Sequence, residues 1–321
     1  MLIELPRLLP NEHILSVLAR WFDGTGRNDF IMTSKWLSTN LSKLNASTIW
    51  RPVYSDLMSH YADTTGVNKI ISEHTLVPYY RPFITKPQYT LLQDAITTGA
   101  RHKVIPSLQN NVTGVYMWRW CQSCADEDYE EYGVTYWHTY HQIPTMLRCY
   151  KHQTALVSMC QSCDFKYMSF QRHWLPPVNG ECLECGEIVE VPTVLKSTTS
   201  YWLDAVSIAL QQKQTDLTLN VLLELMREKL GYQCLPRNIP LALRKEVVEI
   251  QKAFEVSLEG SVISTYFTRE QEEIYKRGQK LLNIITTVYR NSQVPPISLL
   301  LMLRSLGIEH ELTKLLLDGY S

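Results

Sequence analysis

Apolar residues recur at helical spacing at both ends of this chain and lose that rhythm in the middle. Near the N-terminus, Ile14, Leu15, Leu18 and Trp21 or Phe22 follow Pro10-Asn11-Glu12. The pattern predicts a helix with Asn11 as its N-cap and Gly24 and Gly26 as its stop. Further helices are predicted over 33–41, 52–62 and 88–99. Between them, residues 70–83 carry Pro78 and Pro82 among Tyr79, Tyr80 and Phe83, which predicts an extended, packed segment. After Pro192 the helical pattern returns. Leu217, Val221, Leu222, Leu225 and Met226 mark a helix over 216–230 that Gly231 stops. Others are predicted over 242–254, 269–289 and 297–306, the last two separated by Pro295-Pro296 and the last ended by Gly307.

Cysteines fill the middle. Cys121 and Cys124 are followed by Cys149 and His152; Cys160 and Cys163 are followed by Cys182 and Cys185. Two sulfurs two residues apart can aim at one ion from a single tight turn, and two such knuckles complete a closed four-coordinate zinc shell. The expected cofactors are therefore two structural zinc ions, one held by three cysteines and a histidine, the other by four cysteines. Sequential and interleaved ligand sets both satisfy the spacing. A C-x-x-C loop is a poor structural disulfide, and the N-terminus lacks the charged and apolar regions of a signal peptide, so a reducing cytoplasm is expected. Cys234 is left over and is expected to be a small buried residue. His138 and His141 are tempting further ligands, but full shells leave them, with Tyr136, Trp137 and Tyr140, to build the small core that zinc modules need. His74 is expected to be a satisfied structural histidine.

The predicted fold is thus mainly α with small zinc-ribbon β elements. Three regions are expected: a helical domain over 1–115, tandem zinc ribbons over 116–192 and a second helical domain over 193–321. Short helices joined by tight turns fit a helix-turn-helix at either end, and an ordinary helical bundle fits the periodicity as well. The 321 residues carry a net charge of -1 and 45% hydrophobic residues, a globular profile without the basic excess of a protein that binds nucleic acid by charge alone. Residues 118–190 hold 5 Lys and Arg against 10 Asp and Glu, so the cysteine region is a poor phosphate binder. The cations that would face phosphate are Arg20, Arg27, Lys35 and Lys43 in the first region, and Lys276, Arg277, Lys280 and Arg290 in the last. No apolar run is long enough to span a bilayer, and no Walker loop, dinucleotide fingerprint or paired acidic cluster points to catalysis. A metalloenzyme built on His138 or His141 would need an open metal position, which ligand counting disfavours.

The string Arg119-Trp120-Cys121-x-x-Cys124, then Glu127-Asp128, Tyr132-Gly133, Tyr136-Trp137, His141-Gln142-Ile143-Pro144, Cys149-x-x-His152 and Cys160-x-x-Cys163 resembles the TniQ/TnsD family. These are target-selection proteins of Tn7-like and CRISPR-associated bacterial transposons. The segment from Pro10 to Arg20 looks like the family's opening helix. Glu73-His74-Thr75-Leu76-x-Pro78-x-Tyr80-x-Pro82-Phe83 is similar to a stretch of TnsD-type members. The resemblance covers residues 6–205 best. It implies a non-enzymatic adaptor that recruits an AAA+ ATPase regulator (TnsC type), which in turn brings the transposase. Such a protein is cytoplasmic, and nucleoid-associated when on its target. Some members read a DNA site directly; others dock on an RNA-guided CRISPR effector complex (Cascade). The neutral charge and a C-terminus shorter than that of direct readers favour the second role, and the 73–83 segment favours the first. The ATPase contact is expected on the N-terminal helices rather than the acidic ribbons. A homodimer is compatible with all of this.

Overall fold

The computed structural model describes residues 4–37, 46–98, 111–168, 175–213, 217–269, 281–290 and 293–317. Lys43, Lys276, Arg277 and Lys280, and most of the helix expected over 269–289, lie outside the described residues. Among the described residues, helices dominate and β structure is limited to isolated antiparallel bridges.

The opening helix, α1, runs Ser16–Gly24, later than the sequence predicts. Asn11 is not its N-cap. It holds a left-handed backbone (φ 54°), whereas an N-cap is extended. The reason is tertiary: the backbone before α1 pairs with the cysteine region. His13 N donates to Trp137 O at 2.8 Å, Thr139 N donates to Asn11 O at 2.7 Å, and Glu12 bridges to His138. Helix α2 (Phe30–Thr33) is capped by Asp29, whose side chain accepts from Met32 N. It begins before the helix expected over 33–41, of which residues 38–41 lie outside the described residues. Helix α3 (Pro52–Thr65) matches expectation and extends it by one turn.

Residues 70–83 are helical rather than extended. Helix α4 (Val67–His74), α5 (Val77–Tyr80) and a 3-10 turn (Arg81–Phe83) replace the expected segment. Pro78 and Pro82 each sit in the first turn of a short helix, where a missing N–H costs nothing, so prolines that looked like breakers are starters. Helix α6 is Lys86–Thr98, and α7 is Gln122–Tyr132, closed by Gly133 at φ 70°. In the C-terminal part come α8 (Thr198–Gln212), α9 (Leu219–Leu230), α10 (Leu241–Ser257) and α11 (Gly260–Tyr266). They are followed by α12 (Ile284–Arg290), α13 (Pro296–Ser305) and α14 (Glu309–Leu317). Helix α8 opens with a reciprocal Ser197–Ser200 capping box, and Gly231 ends α9 at φ 78° as its position predicts.

One continuous set of buried apolar side chains links these elements, from Ile14 to Leu316. At its centre Trp118, Trp120, Trp137 and Tyr167 meet edge to face or tilted, with Trp120 and Tyr167 centroids 4.6 Å apart. Two buried arginines brace the cysteine region, Arg119 from within and Arg148 against α8. Arg119 donates to Met146 O and Ile143 O, while its backbone is gripped by Gln142. Arg148 pairs with Asp204 of α8 at 2.6 Å and also reaches Leu195 O. Burial would make either charge costly alone, so each is locked to a fixed partner.

Candidate metal centres

The cysteine region repeats one local design three times. In each knuckle the first ligand's N–H donates to the carbonyl five residues on: Cys149 to Thr154, Cys160 to Phe165, and Cys182 to Glu187, at 2.8 to 2.9 Å. Each has a left-handed residue four positions after that first cysteine: Gln153 (φ 56°), Asp164 (φ 55°) and Gly186 (φ 77°). An antiparallel bridge closes each at its base, Arg148 with Ala155, Met159 with Lys166, and Glu181 with Ile188. The fourth knuckle differs. Cys121 occupies the N-cap position of α7 and Cys124 lies in its first turn, so a helix start takes the place of a hairpin.

The knuckles combine sequentially, which settles the pairing that spacing left open. Cys121, Cys124, Cys149 and His152 form one group, and Cys160, Cys163, Cys182 and Cys185 a second, with the donor atoms of each within 4.8 Å of one another. A zinc–sulfur bond of about 2.3 Å places the sulfurs of a tetrahedron about 3.8 Å apart, and sulfur–nitrogen edges slightly closer. In the first group Cys124 Sγ lies 3.5 Å from Cys149 Sγ, and His152 Nδ1 lies 3.5, 3.4 and 3.7 Å from Cys121, Cys124 and Cys149. In the second, Cys160–Cys185 and Cys163–Cys182 are both 3.8 Å apart. Donor type, number and spacing thus fit a tetrahedral ion with soft ligands in each group. The crowded thiols also perturb one another: hydrogen bonds with Cys124 and Cys149 hold the Cys121 thiol well below its ordinary range, while Cys121 and Cys149 push Cys124 up.

The surroundings of the two groups differ. All three cysteines of the first are buried, and His152 is held from outside: Glu127 Oε1 accepts from its Nε2 at 2.8 Å, leaving Nδ1 for the ion. Lys151 Nζ donates to the other Glu127 oxygen at 2.6 Å. Glu127 belongs to the motif string, but its place behind His152 was not read because α7 was not; the signal was Gln122 to Glu131, rich in helix formers and followed by Gly133. In the second group Cys160 and Cys182 are buried, whereas Cys163 and Cys185 are exposed.

A third set of donors, Cys124, His138 and His141, also lies within 4.8 Å. Cys124 already belongs to the first group, and His138 Nε2 donates to Asp128 Oδ2 at 2.7 Å. His141 is fully buried, and burial holds its pKa well below the usual value, so it is neutral. Its Nε2 faces Cys124 Sγ at 3.9 Å, and its ring stacks against His138. His74 Nδ1 donates to Glu12 O at 2.7 Å, a structural bond. Cys234 is exposed, not buried as expected; it sits in the 231–240 loop between α9 and α10, which leaves its thiol outside the core.

The basic candidates scatter. Arg20 is spent on the core side of its helix, pairing with fully buried Glu12 at 2.7 Å, with its side chain 8% exposed. Arg27 and Lys35 are exposed near α2. Arg290 donates to Leu235 O and Pro236 O, fastening a loop.

Residues 5–156 match the TniQ family model. This stretch of the chain is a TniQ domain. The match agrees with the motifs that resemble the TniQ/TnsD family, and it includes all of the first ligand group but none of the second. Across 150 aligned residues the chain is 27% identical to the transposon Tn7 transposition protein TnsD of Escherichia coli, a match covering 44% of this chain and 29% of that protein. The chain therefore matches less than a third of the length of that curated relative. Within the TniQ domain, α7 and the 149–154 knuckle supply the first ligand group, and residues 137–139 between them pair with the segment that precedes α1. None of the described helices is long and apolar enough to cross a membrane.

Proposed function

We propose that this protein is a non-enzymatic target-selection adaptor in Tn7-like transposition. It links an RNA-guided effector complex (Cascade) on target DNA to an AAA+ regulator of the TnsC type, and through it to the transposase. Two structural zinc ions hold its centre rigid. The observation that carries the reading is the TniQ domain, built around a closed ligand group with no free coordination position. The choice of RNA-guided docking over direct reading rests on charge. The chain is near neutral, its cysteine region is acidic, and two of the cations that would meet phosphate, Arg20 and Arg290, already have partners inside the fold. Affinity for duplex DNA grows with each phosphate neutralised.

A second reading is that the protein marks an attachment site directly, as the similarity to TnsD favours. A salt-titrated binding assay with the protein alone separates the two. The adaptor reading expects weak, sequence-blind, salt-sensitive binding, and a stable complex with the effector. Preference for one flanking site over random duplex by about a thousandfold would overturn it in favour of direct recognition.

A further inference from the structure

The turn that presents Cys149 and His152 also carries a hydroxyl to the other half of the first ligand group. Cys149 N donates to Thr154 O at 2.8 Å, and the left-handed backbone of Gln153 (φ 56°) turns the chain back on itself there. Thr154 is thereby brought to Cys121, 33 residues away in the chain, and its Oγ1 stands 3.1 Å from the Cys121 sulfur. Between a thiol and a hydroxyl either atom could donate. Metal ligation removes the choice: a cysteine that holds an ion does so as a thiolate, which has no proton to give, so the hydroxyl is the donor. The other two sulfurs are met as well. Cys149 Sγ accepts from Lys151 N at 3.3 Å and His152 N at 3.5 Å, and Cys124 Sγ is faced by His141 Nε2 at 3.9 Å.

We infer that Thr154 is a positioning residue for the first ion: its hydroxyl donates to the Cys121 thiolate, fixes that sulfur and clasps the 149–154 knuckle to α7. Charge gives the reason. A zinc ion with three thiolates and a neutral imidazole is an anion, and all three of these cysteines are buried, where little water shares the surplus charge. A hydrogen bond to a charged sulfur is stronger than one between neutral groups, and it draws charge from the thiolate while leaving its bond to the ion in place. The donors to Cys149 come from the backbone of its own turn. Thr154 instead reaches from one knuckle to the other, so its bond also opposes separation of the two halves when a competing ligand approaches the ion. The Thr154 side chain is exposed, so core packing does not dictate its place. The inference rests on the reading of the first group as a metal centre and is independent of which partner the protein serves.

The test uses the full chain loaded with an NMR-active cadmium isotope, which gives separate resonances for a site of three sulfurs and one nitrogen and for a site of four sulfurs. Thr154→Val keeps the shape and removes the hydroxyl; Thr154→Ser keeps the hydroxyl and removes the methyl. In Thr154→Val the resonance of the mixed site should shift, and EDTA should strip that site about tenfold faster than in wild type, as loss of a partner behind a metal ligand does. The four-sulfur resonance should keep its position and its rate of loss. Thr154→Ser should restore the mixed site in both respects. An unchanged shift and rate in Thr154→Val would overturn the inference. So would a Thr154→Ser variant that behaves like Thr154→Val, because the methyl and not the hydroxyl would then hold the site, and so would equal changes in both resonances, which mark a general loosening. Failure of the metal reading is seen separately, in the wild-type chain: absence of any mixed-site resonance there would overturn that reading and this inference with it.

Discussion

Replacing Cys121 with serine discriminates between a metal-built centre and an ordinary buried thiol. Cys121 is fully buried, and its Sγ lies 3.1 Å from Thr154 Oγ1. A serine hydroxyl keeps a hydrogen bond to that oxygen and changes volume little. If the site were only packing, the cost would be about 1 kcal/mol, which for a chain of this size moves the melting midpoint by about 2–4 °C. If the four donors hold an ion, the variant removes one of four ligands from a shell whose binding contributes about 10 kcal/mol or more to folding. That is comparable with the whole stability of a typical domain, about 5–15 kcal/mol. The first ligand group joins α7 to the 149–154 knuckle, so its loss should also release the Trp120–Val157 pairing beside it. Metal content by mass spectrometry should fall from two equivalents to one. The near-ultraviolet signal of Trp118, Trp120 and Trp137 should collapse. Cys234→Ser, at an exposed cysteine outside both groups, should change nothing. Two retained metal equivalents with a midpoint within about 4 °C of wild type would refute the reasoning.

Three further outcomes are expected. Glu127→Gln should leave the fold intact but weaken retention of the first ion about 10–100-fold, seen as faster transfer to a chromophoric chelator; unchanged transfer would remove Glu127 from any role behind His152. Arg148→Met strands the Asp204 carboxyl in the core and should cost about 3–5 kcal/mol in urea unfolding, while the double variant with Asp204→Leu should recover much of that loss; additive losses would contradict a coupled pair. His13 titrates in the folded state at about 3, chiefly because burial disfavours the imidazolium, with the nearby His74 adding to it, and its Nδ1 accepts from Leu15 N, which requires the neutral ring. A pKa lowered below the unfolded value means the unfolded chain binds a proton the folded chain refuses. Stability is therefore complete above about pH 6.5 and falls by about 1.4 kcal/mol per unit as pH drops towards 3. His13→Gln should flatten that slope by about one proton relative to wild type in unfolding curves at pH 7.5, 6 and 5; an identical slope would exclude His13 as the source.

The sequence by itself determined the chemistry of the centre and most of the helices. C-x-x-C and C-x-x-H spacings announce their donors because two residues is the length of a knuckle turn, a strictly local geometry. Gly231, Gly133 and Gly307 stop helices for an equally local reason, a left-handed backbone that side chains resist. Tertiary structure decided what depends on distant partners. Which knuckle meets which, and the conversion of Asn11 from a cap into one side of a bridge to 137–139, follow from contacts separated widely in sequence. Pro78 and Pro82 belong to the same class: proline is compatible both with an extended run and with a first helical turn, and only packing of α5 against α8 chose the helix. The role of Glu127 behind His152, and that of Thr154 beside Cys121, needed side chains brought together from separate elements, which no spacing rule encodes.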